Sequence, residues 1–356
     1  MYRILVLGAG KIGGAVAEML AAGGDYAVAV ADRDPAFLAL VPPERAERLE
    51  IDVADETALA SAMRGREAVL SALPFFLNPL VARVAGAAGV HYFDLTEDVA
   101  TTRAVRAAAE NAATAFMPQC GLAPGYISVV AHDLAQRFDS VRDVHMRVGA
   151  LPQFPVNALK YNLTWSTDGL INEYCNACEA IHEGRPIEAM PLEGLEHFSL
   201  DGIDYEAFNT SGGLGTLCET LAGRVQSLNY KTVRYPGHRD VIHLLLEDLR
   251  LRDRRALLKD VLETAVPITH QDVVLIFVTV AGWRDNRLTQ ESYAKKIYAR
   301  ELDGKLWSAI QLTTAAGICA MVDLHRDGKL PARGFIRQEQ ANLADFLANR
   351  FGRHYG

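Results

Sequence analysis

Residues 4–13 read Ile-Leu-Val-Leu-Gly-Ala-Gly-Lys-Ile-Gly, an apolar run that leads directly into Gly-x-Gly-x-x-Gly at Gly8, Gly10 and Gly13. A helix-forming stretch follows at 15–22. In such a strand–turn–helix unit the first glycine permits a tight turn, the second lets the main chain approach a pyrophosphate, and the third lets the helix pack against the strand. The N–H groups that open the helix favour phosphate. The stretch therefore predicts a dinucleotide site, and a glycine turn without a ligand is the alternative.

A second strand pattern, 26–31, ends in Asp32, which lies 19 residues past Gly13. A carboxylate at this place accepts hydrogen bonds from a free ribose 2′-hydroxyl and repels a 2′-phosphate, which favours NAD. Arg33 could pair with a phosphate, so NADP stays open. The residues predicted to hold the coenzyme are Gly8, Gly10, Lys11, Ile12, Gly13, Asp32, Arg33, Asp52, Val53, Ser71, Ala72, Leu73, Pro74 and Asp94.

Composition excludes several classes of protein. The 356 residues, 50% hydrophobic and 22% charged, suffice for two globular domains. A net charge of −8 argues against a nucleic-acid surface, and no apolar run approaches the roughly 20 residues of a membrane span. The chain enters its first strand at once, so no signal peptide is expected, and five scattered cysteines fit the cytoplasm. The dispersed histidines and the lone Cys175-x-x-Cys178 pair predict no metal site.

The first third alternates strand and helix patterns, which predicts a Rossmann-type, doubly wound parallel sheet. Strands are expected at 3–7, 26–31, 48–52, 67–72, 90–94 and 114–117, and helices at 12–22, 55–63, 78–88 and 100–112. Asp52 is expected to close the third strand, and Asp55 to cap the helix that follows.

Beyond residue 124 the rhythm changes to that of an α+β domain with a mostly antiparallel sheet. Its clearest strand patterns are 271–281, 291–302 and 305–310, with a hairpin turn at Asp303-Gly304. Helices expected at 312–325 and 337–351 return to the first domain. We therefore predict a dinucleotide-binding domain of residues 1–122 and 311–356, and a substrate-binding and oligomerisation domain of residues 123–310. The apolar strand 273–281 could extend a sheet across a two-fold axis, which predicts a homodimer.

Several segments carry a more specific signal than the glycine pattern, and they agree in order and spacing over nearly the whole chain. They are His91–Asp98, Cys120–Gly125, Thr210–Thr216, Arg234–Asp240 and Thr313–Gly317. Together they resemble the saccharopine dehydrogenase-like family, and within it most closely the lysine 6-dehydrogenases. The resemblance implies hydride transfer between a nicotinamide and a nitrogen-bearing carbon of a lysine-derived amino acid.

A lysine 6-dehydrogenase would oxidise the ε-carbon of L-lysine to an imine, which water converts to the semialdehyde. Saccharopine dehydrogenases often carry Asp in the Gly-x-x-Pro-Gly turn where this chain has Ala123. Saccharopine, or another N-substituted amino acid, remains the alternative substrate. Saccharopine's three carboxylates would need several of the arginines Arg147, Arg185, Arg224 and Arg239 to face inward. A non-catalytic NAD-sensing module is a third possibility.

An amino acid substrate needs a cationic partner for its carboxylate. Arg239 is the predicted partner, and a surface pairing with Asp240 is the alternative. The glycine loop 210–216, with Gly213 and Thr216, is a second candidate anion site, because a helix starting near Leu214 would expose N–H groups.

The reacting amine must also lose a proton to a base. His238 is the first candidate because histidine titrates near neutrality, and Lys160 and Asp94 follow. The alternatives are a histidine that orients a loop, a solvated lysine and a helix-capping aspartate. Trp165 and Tyr235 are predicted to line an apolar slot for the methylene chain, although ordinary core packing would explain both.

Overall fold

The computed structural model describes residues 1–302 and 304–356. The chain forms two compact units. Unit 1 comprises Met1–Val129 and Gln311–Gly356, and unit 2 comprises Val130–Ile310.

The first segment of unit 1 alternates strands and helices as predicted. Its elements are β1 (Tyr2–Leu7), α1 (Lys11–Ala22), β2 (Tyr26–Asp32), α2 (Pro35–Ala39), β3 (Glu47–Glu50), α3 (Glu56–Met63), β4 (Ala68–Ser71), α4 (Asn78–Ala88), β5 (His91–Asp94), α5 (Val99–Ala109) and β6 (Ala115–Met117). The next helix, α6 (Tyr126–Ala135), begins in unit 1 and ends in unit 2. Asp55 caps α3 by accepting from the N–H groups of Thr57 and Ala58, as its position predicts. Asp52 lies beyond the end of β3 rather than closing it.

Unit 2 is built from longer strands and fewer helices. Its elements are β7 (Ser140–Pro152), α7 (Thr167–Cys175), β8 (Cys178–His182), β9 (Arg185–Ala189), β10 (Glu196–Leu200), β11 (Ile203–Asn209), α8 (Leu217–Leu221), β12 (Ser227–Arg234), α9 (His238–His243), α10 (Arg255–Ala265), β13 (Asp272–Arg284), β14 (Arg287–Tyr298), β15 (Arg300–Leu302) and β16 (Lys305–Trp307). The predicted turn at Asp303-Gly304 includes Asp303, which lies outside the described residues. Leu302 and Lys305 pair across it.

The chain returns to unit 1 through α11 (Ala309–Arg326), β17 (Gly334–Phe335) and α12 (Leu343–Ala348). The predicted bounds 337–351 of the last helix are wrong, because the observed helix spans only Leu343–Ala348. Asn342 begins α12 by accepting from the Asp345 N–H group, and short 3₁₀ turns flank this helix. The predicted strand 305–310 is likewise shorter, because α11 begins at Ala309.

The parallel sheet of unit 1 confirms the predicted doubly wound fold. Its order is β17-β6-β5-β4-β1-β2-β3, so the chain winds outward in both directions from β1 and β4. Residues 4–7 of β1 are fully buried, as expected for a strand covered on both faces. In such sheets ligands bind at the carboxyl ends of the strands, beside the point where the order reverses.

The larger sheet of unit 2 has the order β10-β11-β12-β7-β13-β14, and β8 pairs with β12 on one side and with β9 on the other. Only the β12–β7 pairing is parallel among the described pairs, which confirms the mostly antiparallel prediction. Helices α7, α9 and α10 share one apolar core with Phe208 of β11. Strand β13 pairs with β7 on one side and β14 on the other, so both its edges are occupied. The expectation that 273–281 extends a sheet into a second copy is therefore wrong.

Cys175 ends α7 and Cys178 begins β8, so the two cysteines lie in different elements. The backbone turns extended at Asn176, which ends the helix between them. Among residues 1–302 and 304–356, no helix is long and apolar enough to cross a bilayer. Over the same residues, no three His, Cys, Asp or Glu side chains converge as metal ligands would.

Candidate functional site

The glycine turn between β1 and α1 has a different requirement at each glycine. Gly8 has φ +93°, and a Cβ there would lie 2.9 Å from the Ala72 carbonyl oxygen. A Cβ at Gly13 would lie 1.8 Å from the Gly8 carbonyl oxygen. Both positions therefore need glycine for the fold itself. A Cβ at Gly10 would meet no atom within 4 Å, so the fold leaves this space open.

Helix α1 begins at Lys11 without a side-chain cap, because its N-cap residue is Gly10. The first N–H groups of a helix have no partner within the helix, and they attract anions. Lys11 is exposed and Ile12 half-buried at this end. The turn thus combines open space with unsatisfied donors, which suits a pyrophosphate.

Asp32 stands beside the turn at the end of β2. Its Oδ2 accepts a hydrogen bond from the Ala9 N–H group at 2.7 Å, and its Oδ1 accepts one from the Asp34 N–H group at 2.9 Å. The carboxylate is partly exposed, and each oxygen keeps a further lone pair for a ribose hydroxyl. Arg33 is exposed, and no contact of its side chain is seen in the described part of the chain.

The other predicted coenzyme residues divide into those with free surface and those whose side chains serve the fold. Ser71 is buried and donates to Asn78 Oδ1 at 2.6 Å. Val53 packs in the apolar core of unit 1. Asp52 is exposed and accepts from the Ala54 N–H group, and Ala72, Leu73 and Pro74 follow β4 with partly or fully exposed surfaces. The side chains of Ser71 and Val53 are thus engaged within the protein, and their place beside the coenzyme stays a prediction.

Asp94 is 0% exposed, which contradicts its predicted contacts with ribose or substrate. Its oxygens accept hydrogen bonds from the N–H groups of Thr96 and Gln119, both at 2.9 Å, and from the Tyr92 hydroxyl at 2.6 Å. Burial raises the pKa of Asp94 to about 6. The residue braces the loops at the ends of β5 and β6. It does not cap a helix as the alternative proposed, because the N-cap of α5 is Asp98.

Glu97 lies three residues beyond Asp94, at the same carboxyl edge of the sheet. It was not among the site residues predicted from the sequence. Its Oε1 is enclosed and has no hydrogen-bond partner within the described residues. Burial raises the pKa of this carboxyl to about 7, and the charges of Asp98 and Asp94 add to the rise. A carboxyl whose pKa lies near neutrality, with a free oxygen, can accept and return a proton.

His238 is 0% exposed in unit 2, so the prediction that it titrates near neutrality is wrong. Burial, followed by the charge of Arg234, lowers its pKa to about 3. Its Nδ1 lies 2.8 Å from the Leu159 carbonyl oxygen, and its Nε2 lies 3.0 Å from the Tyr174 hydroxyl. The ring is a neutral, fixed element of the core and not a proton acceptor for substrate.

Lys160 is exposed and donates from Nζ to the Pro236 carbonyl oxygen at 2.7 Å. Lys160 is therefore a solvated lysine, as the alternative to a catalytic role proposed. Trp165 donates from Nε1 to the Tyr161 hydroxyl at 3.2 Å and packs against the helical core. Tyr235 donates to the Pro152 carbonyl oxygen at 2.8 Å and stacks on Tyr205. Both rings fit the core-packing alternative.

Arg239 is held by two protein partners. Its Nε donates to the Leu192 carbonyl oxygen at 2.9 Å, and its Nη1 pairs with Asp240 at 3.1 Å. The surface-pairing alternative is thus the observed state. The carboxylate of Glu206, on β11, accepts from the N–H groups of Gly237 and Arg239 and fixes the start of α9.

The glycine loop 210–216 is packed rather than open. A Cβ at Gly213 would lie 2.2 Å from the Tyr230 ring, which leaves no room there for an anion. Thr216 is buried. The helix that follows begins at Leu217 rather than at Leu214, and it has only five residues. The expected anion site at Gly213 and Thr216 is therefore wrong.

Arg234, at the end of β12, was not among the site residues predicted from the sequence. The structure shows that it is buried, with 2% of its surface exposed. Its Nε donates to the Tyr174 hydroxyl at 3.0 Å and its Nη1 donates to the Val233 carbonyl oxygen at 2.8 Å. The Tyr161 ring lies 4.8 Å from the guanidinium carbon. Within residues 1–302 and 304–356, Nη2 has no hydrogen-bond partner. By contrast, Arg147 pairs with Glu196, and Arg185 and Arg224 are exposed.

An open glycine turn on a doubly wound parallel sheet, followed by a unit with a mostly antiparallel sheet, defines a two-unit dinucleotide-binding protein. The chain belongs to the saccharopine dehydrogenase family. Residues 4–117 match the saccharopine dehydrogenase NADP binding domain, and residues 121–354 match the saccharopine dehydrogenase C-terminal domain. The family expected from the sequence is confirmed.

Two curated relatives are saccharopine dehydrogenases [NADP(+), L-glutamate-forming]. The Saccharomyces cerevisiae protein is 24% identical over 271 residues, which cover 70% of this chain and 59% of the relative. The Schizosaccharomyces pombe protein is 22% identical over 267 residues, which cover 69% and 58%. The chain thus spans less than two thirds of the length of these relatives.

The fold is also that of a solved structure, the apo histidine-tagged saccharopine dehydrogenase (L-Glu forming) from Saccharomyces cerevisiae. The TM-score is 0.80 at 18% identity, over 99% of this chain and 98% of that chain. At this identity the likeness establishes the fold alone.

Proposed function

We propose that the protein is a nicotinamide-dependent oxidoreductase that acts on a carbon–nitrogen bond of a lysine-derived amino acid. We further propose that its reaction is the oxidative deamination of the ε-amine of L-lysine. The observation that carries the proposal is the open turn at Gly10, where space and uncapped N–H groups suit a coenzyme pyrophosphate. Membership of the saccharopine dehydrogenase family supports the substrate class.

For the coenzyme we propose NAD, with NADP as the alternative. The partly exposed carboxylate of Asp32 favours a free 2′-hydroxyl over a phosphate. The description of the matched family as NADP-binding, and the exposed Arg33 guanidinium, support the alternative. When bound, the nicotinamide supplies the acceptor for hydride, and the chain's own residues supply binding, orientation and proton transfer.

For the substrate we propose that unit 2 binds the α-carboxylate at Arg234 and not at Arg239. A buried guanidinium with an unpaired Nη2 suits a carboxylate, whereas the Arg239 guanidinium already has two protein partners. For the proton acceptor we propose Glu97 in place of His238, because Glu97 has a free enclosed oxygen.

Saccharopine dehydrogenation is the second candidate, and the two curated relatives favour it. The other arginines predicted to bind saccharopine argue against it, since three substrate carboxylates would need several cationic partners. Arg147 is paired with Glu196, and Arg185 and Arg224 are exposed.

The test is reduction of NAD and NADP at 340 nm with a panel of L-lysine, saccharopine, L-ornithine and L-glutamate. Turnover of lysine with NAD, faster above pH 8 where the free amine is more abundant, is the expected result. Turnover of saccharopine alone would replace the lysine assignment with the second candidate. No reduction of either coenzyme by any substrate would favour the non-catalytic NAD-sensing alternative.

A further inference from the structure

We propose that Tyr174 and His238 are positioning residues, which hold the guanidinium of Arg234 so that Nη2 remains directed to a substrate carboxylate. This inference rests on the proposed function, since it assigns the parts of the same carboxylate site. Neither residue needs to touch the substrate, and neither transfers a proton in the reaction.

Leu159, His238, Tyr174 and Arg234 form a chain of hydrogen bonds. The donor in each bond follows from the Leu159 carbonyl at the end of this chain. The Leu159 carbonyl can only accept, so Nδ1 of His238 carries the proton and donates over 2.8 Å. Nε2 of the neutral ring is then an acceptor, and the Tyr174 hydroxyl donates to it over 3.0 Å. With its proton committed, the Tyr174 oxygen presents a lone pair to Nε of Arg234 over 3.0 Å. The tautomer of a buried imidazole thus fixes a tyrosine, which in turn fixes a guanidinium.

The remaining contacts of Arg234 engage Nη1 and one face of the guanidinium. Nη1 is held by the Val233 carbonyl oxygen, and the ring of Tyr161 lies near the guanidinium at 4.8 Å from its carbon. Because the guanidinium is planar, fixing Nε and Nη1 also fixes the direction of Nη2. A carboxylate that meets a guanidinium already held in place loses less freedom on binding, which strengthens binding without a new contact.

Several neighbouring groups act on the charge of the Arg234 guanidinium. Burial opposes the charge, but Tyr174, Tyr161 and Glu173 outweigh burial and raise the pKa of Arg234. Because Nε and Nη1 are engaged by Tyr174 and Val233, Nη2 is the donor group that we assign to a ligand carboxylate.

His238 also has a rigid apolar setting that suits this role. Its ring stacks on Phe208 at an interplanar angle of 12° and meets Tyr161 edge-on. It is fully buried, and its pKa of about 3 keeps it neutral across the physiological range. The acceptor at Nε2 is thus constant, and the network does not switch with pH near neutrality.

The decisive variant is Tyr174→Phe, which removes one hydroxyl and keeps the ring. We expect the KM of the amino acid to rise about 10-fold, the usual effect of losing a hydrogen bond to a charged group. The kcat and the Kd of the coenzyme should stay within 2-fold. Tyr205→Phe is the matched control, because it removes the hydroxyl of another buried tyrosine in the same unit, within a separate apolar cluster, and should leave all three values unchanged.

His238→Gln and His238→Asn test the direction of the network. Glutamine can place an oxygen near the position of Nε2 and accept from Tyr174, so its KM should lie closer to that of the unmodified protein. Asparagine keeps a donor for Leu159 but offers no acceptor to Tyr174, so it should behave as Tyr174→Phe does. An equal effect of the two substitutions would overturn the relay.

Binding without turnover separates this inference from the proposed function. L-norleucine has the carboxylate and the methylene chain of lysine but no ε-amine, and its Kd is measured by calorimetry in the unmodified protein and in Tyr174→Phe. Norleucine binding that weakens about 10-fold in the variant, in a protein that oxidises no substrate, would uphold the carboxylate site and refute the activity. Lysine oxidation with an unchanged KM in Tyr174→Phe would overturn the positioning role alone. A protein that neither binds nor oxidises any amino acid would overturn both.

Discussion

Gly10→Ala separates coenzyme binding from folding at the glycine turn. An added Cβ at Gly10 meets no atom within 4 Å, and the φ of −66° is one that alanine adopts readily. The methyl group would instead occupy the space that we assign to the pyrophosphate. We therefore expect a protein that folds normally and binds coenzyme poorly.

The magnitudes follow from two opposed effects on folding and one on binding. Alanine is a poorer N-cap than glycine, which lowers the free energy of unfolding by about 1 kcal/mol. Alanine also restricts the unfolded chain, which raises the free energy of unfolding by about 0.4–1 kcal/mol and compensates. The change in Tm should thus stay below about 4 °C. Loss of one hydrogen bond to a charged phosphate costs about 1.5–3 kcal/mol, so the Kd should rise roughly 10- to 150-fold.

Fluorescence titration with NADH and NADPH measures the Kd, and thermal unfolding followed by circular dichroism measures the Tm. Gly13→Ala is the contrasting variant, because its Cβ would lie 1.8 Å from a carbonyl oxygen and must displace α1. It should lower the Tm as well as the affinity, with a packing cost of about 1–3 kcal/mol or more. An unchanged Kd in Gly10→Ala would refute the placement of the pyrophosphate.

Four further predictions concern single side chains. Asp32→Ala should weaken NAD binding at least about 10-fold more than NADP binding, although it also removes an acceptor for the turn. Equal losses would contradict the ribose role. Asp94 has a folded pKa of about 6 against an ordinary 3.8, so the native state holds more protons than the unfolded state between these values. Its share of the free energy of unfolding therefore falls by about 3 kcal/mol as pH rises from 4 to 6, and Asp94→Asn should remove that fall from urea titrations. Glu97→Gln should lower kcat/KM about 100-fold and abolish the loss of rate below pH 7; a retained acid limb would exclude Glu97. Arg234→Lys should raise the substrate KM about 10-fold or more, because lysine cannot reproduce the planar fork, whereas Arg239→Lys should leave it nearly unchanged.

The parts of the site that could be predicted from sequence are those with local determinants. The requirements at Gly8 and Gly13, the uncapped start of α1 and the acid at Asp32 all lie within 32 residues. Strand patterns in unit 1 are equally local where a strand is buried on both faces and forms an apolar run, as in β1, β2 and β4. The two-residue strand Gly334–Phe335 has no such run and was missed, because pairing with β6 alone defines it.

The candidate catalytic residues depended on burial, which sequence position does not give. His238 follows a glycine in a loop-like segment and looks accessible, yet Tyr161, Tyr174 and Phe208 enclose it from elsewhere in unit 2. Arg234 ends a strand, where an arginine is ordinarily solvated. Its one available signal was its position in the Arg-Tyr-Pro-Gly-His segment that carries the family resemblance.

Glu97 and Asp94 show the same limit at the edge of the parallel sheet. Asp94 is the last residue of β5 and Glu97 lies three residues beyond it, and the sequence favoured Asp94 because it ends the strand. Three hydrogen bonds engage both oxygens of Asp94, whereas an oxygen of Glu97 is left unpaired within the described residues. The difference arises from Tyr92 and Gln119, whose approach depends on the packing of the whole sheet edge.

A crystal structure of the protein grown with NAD or NADP tests the central claim most directly. We expect the pyrophosphate over the N-terminal turn of α1, beside Gly10, and the adenine ribose within hydrogen-bonding distance of Asp32. A glycine turn left empty in crystals that contain bound coenzyme elsewhere, or in a protein saturated with coenzyme, would contradict the assignment.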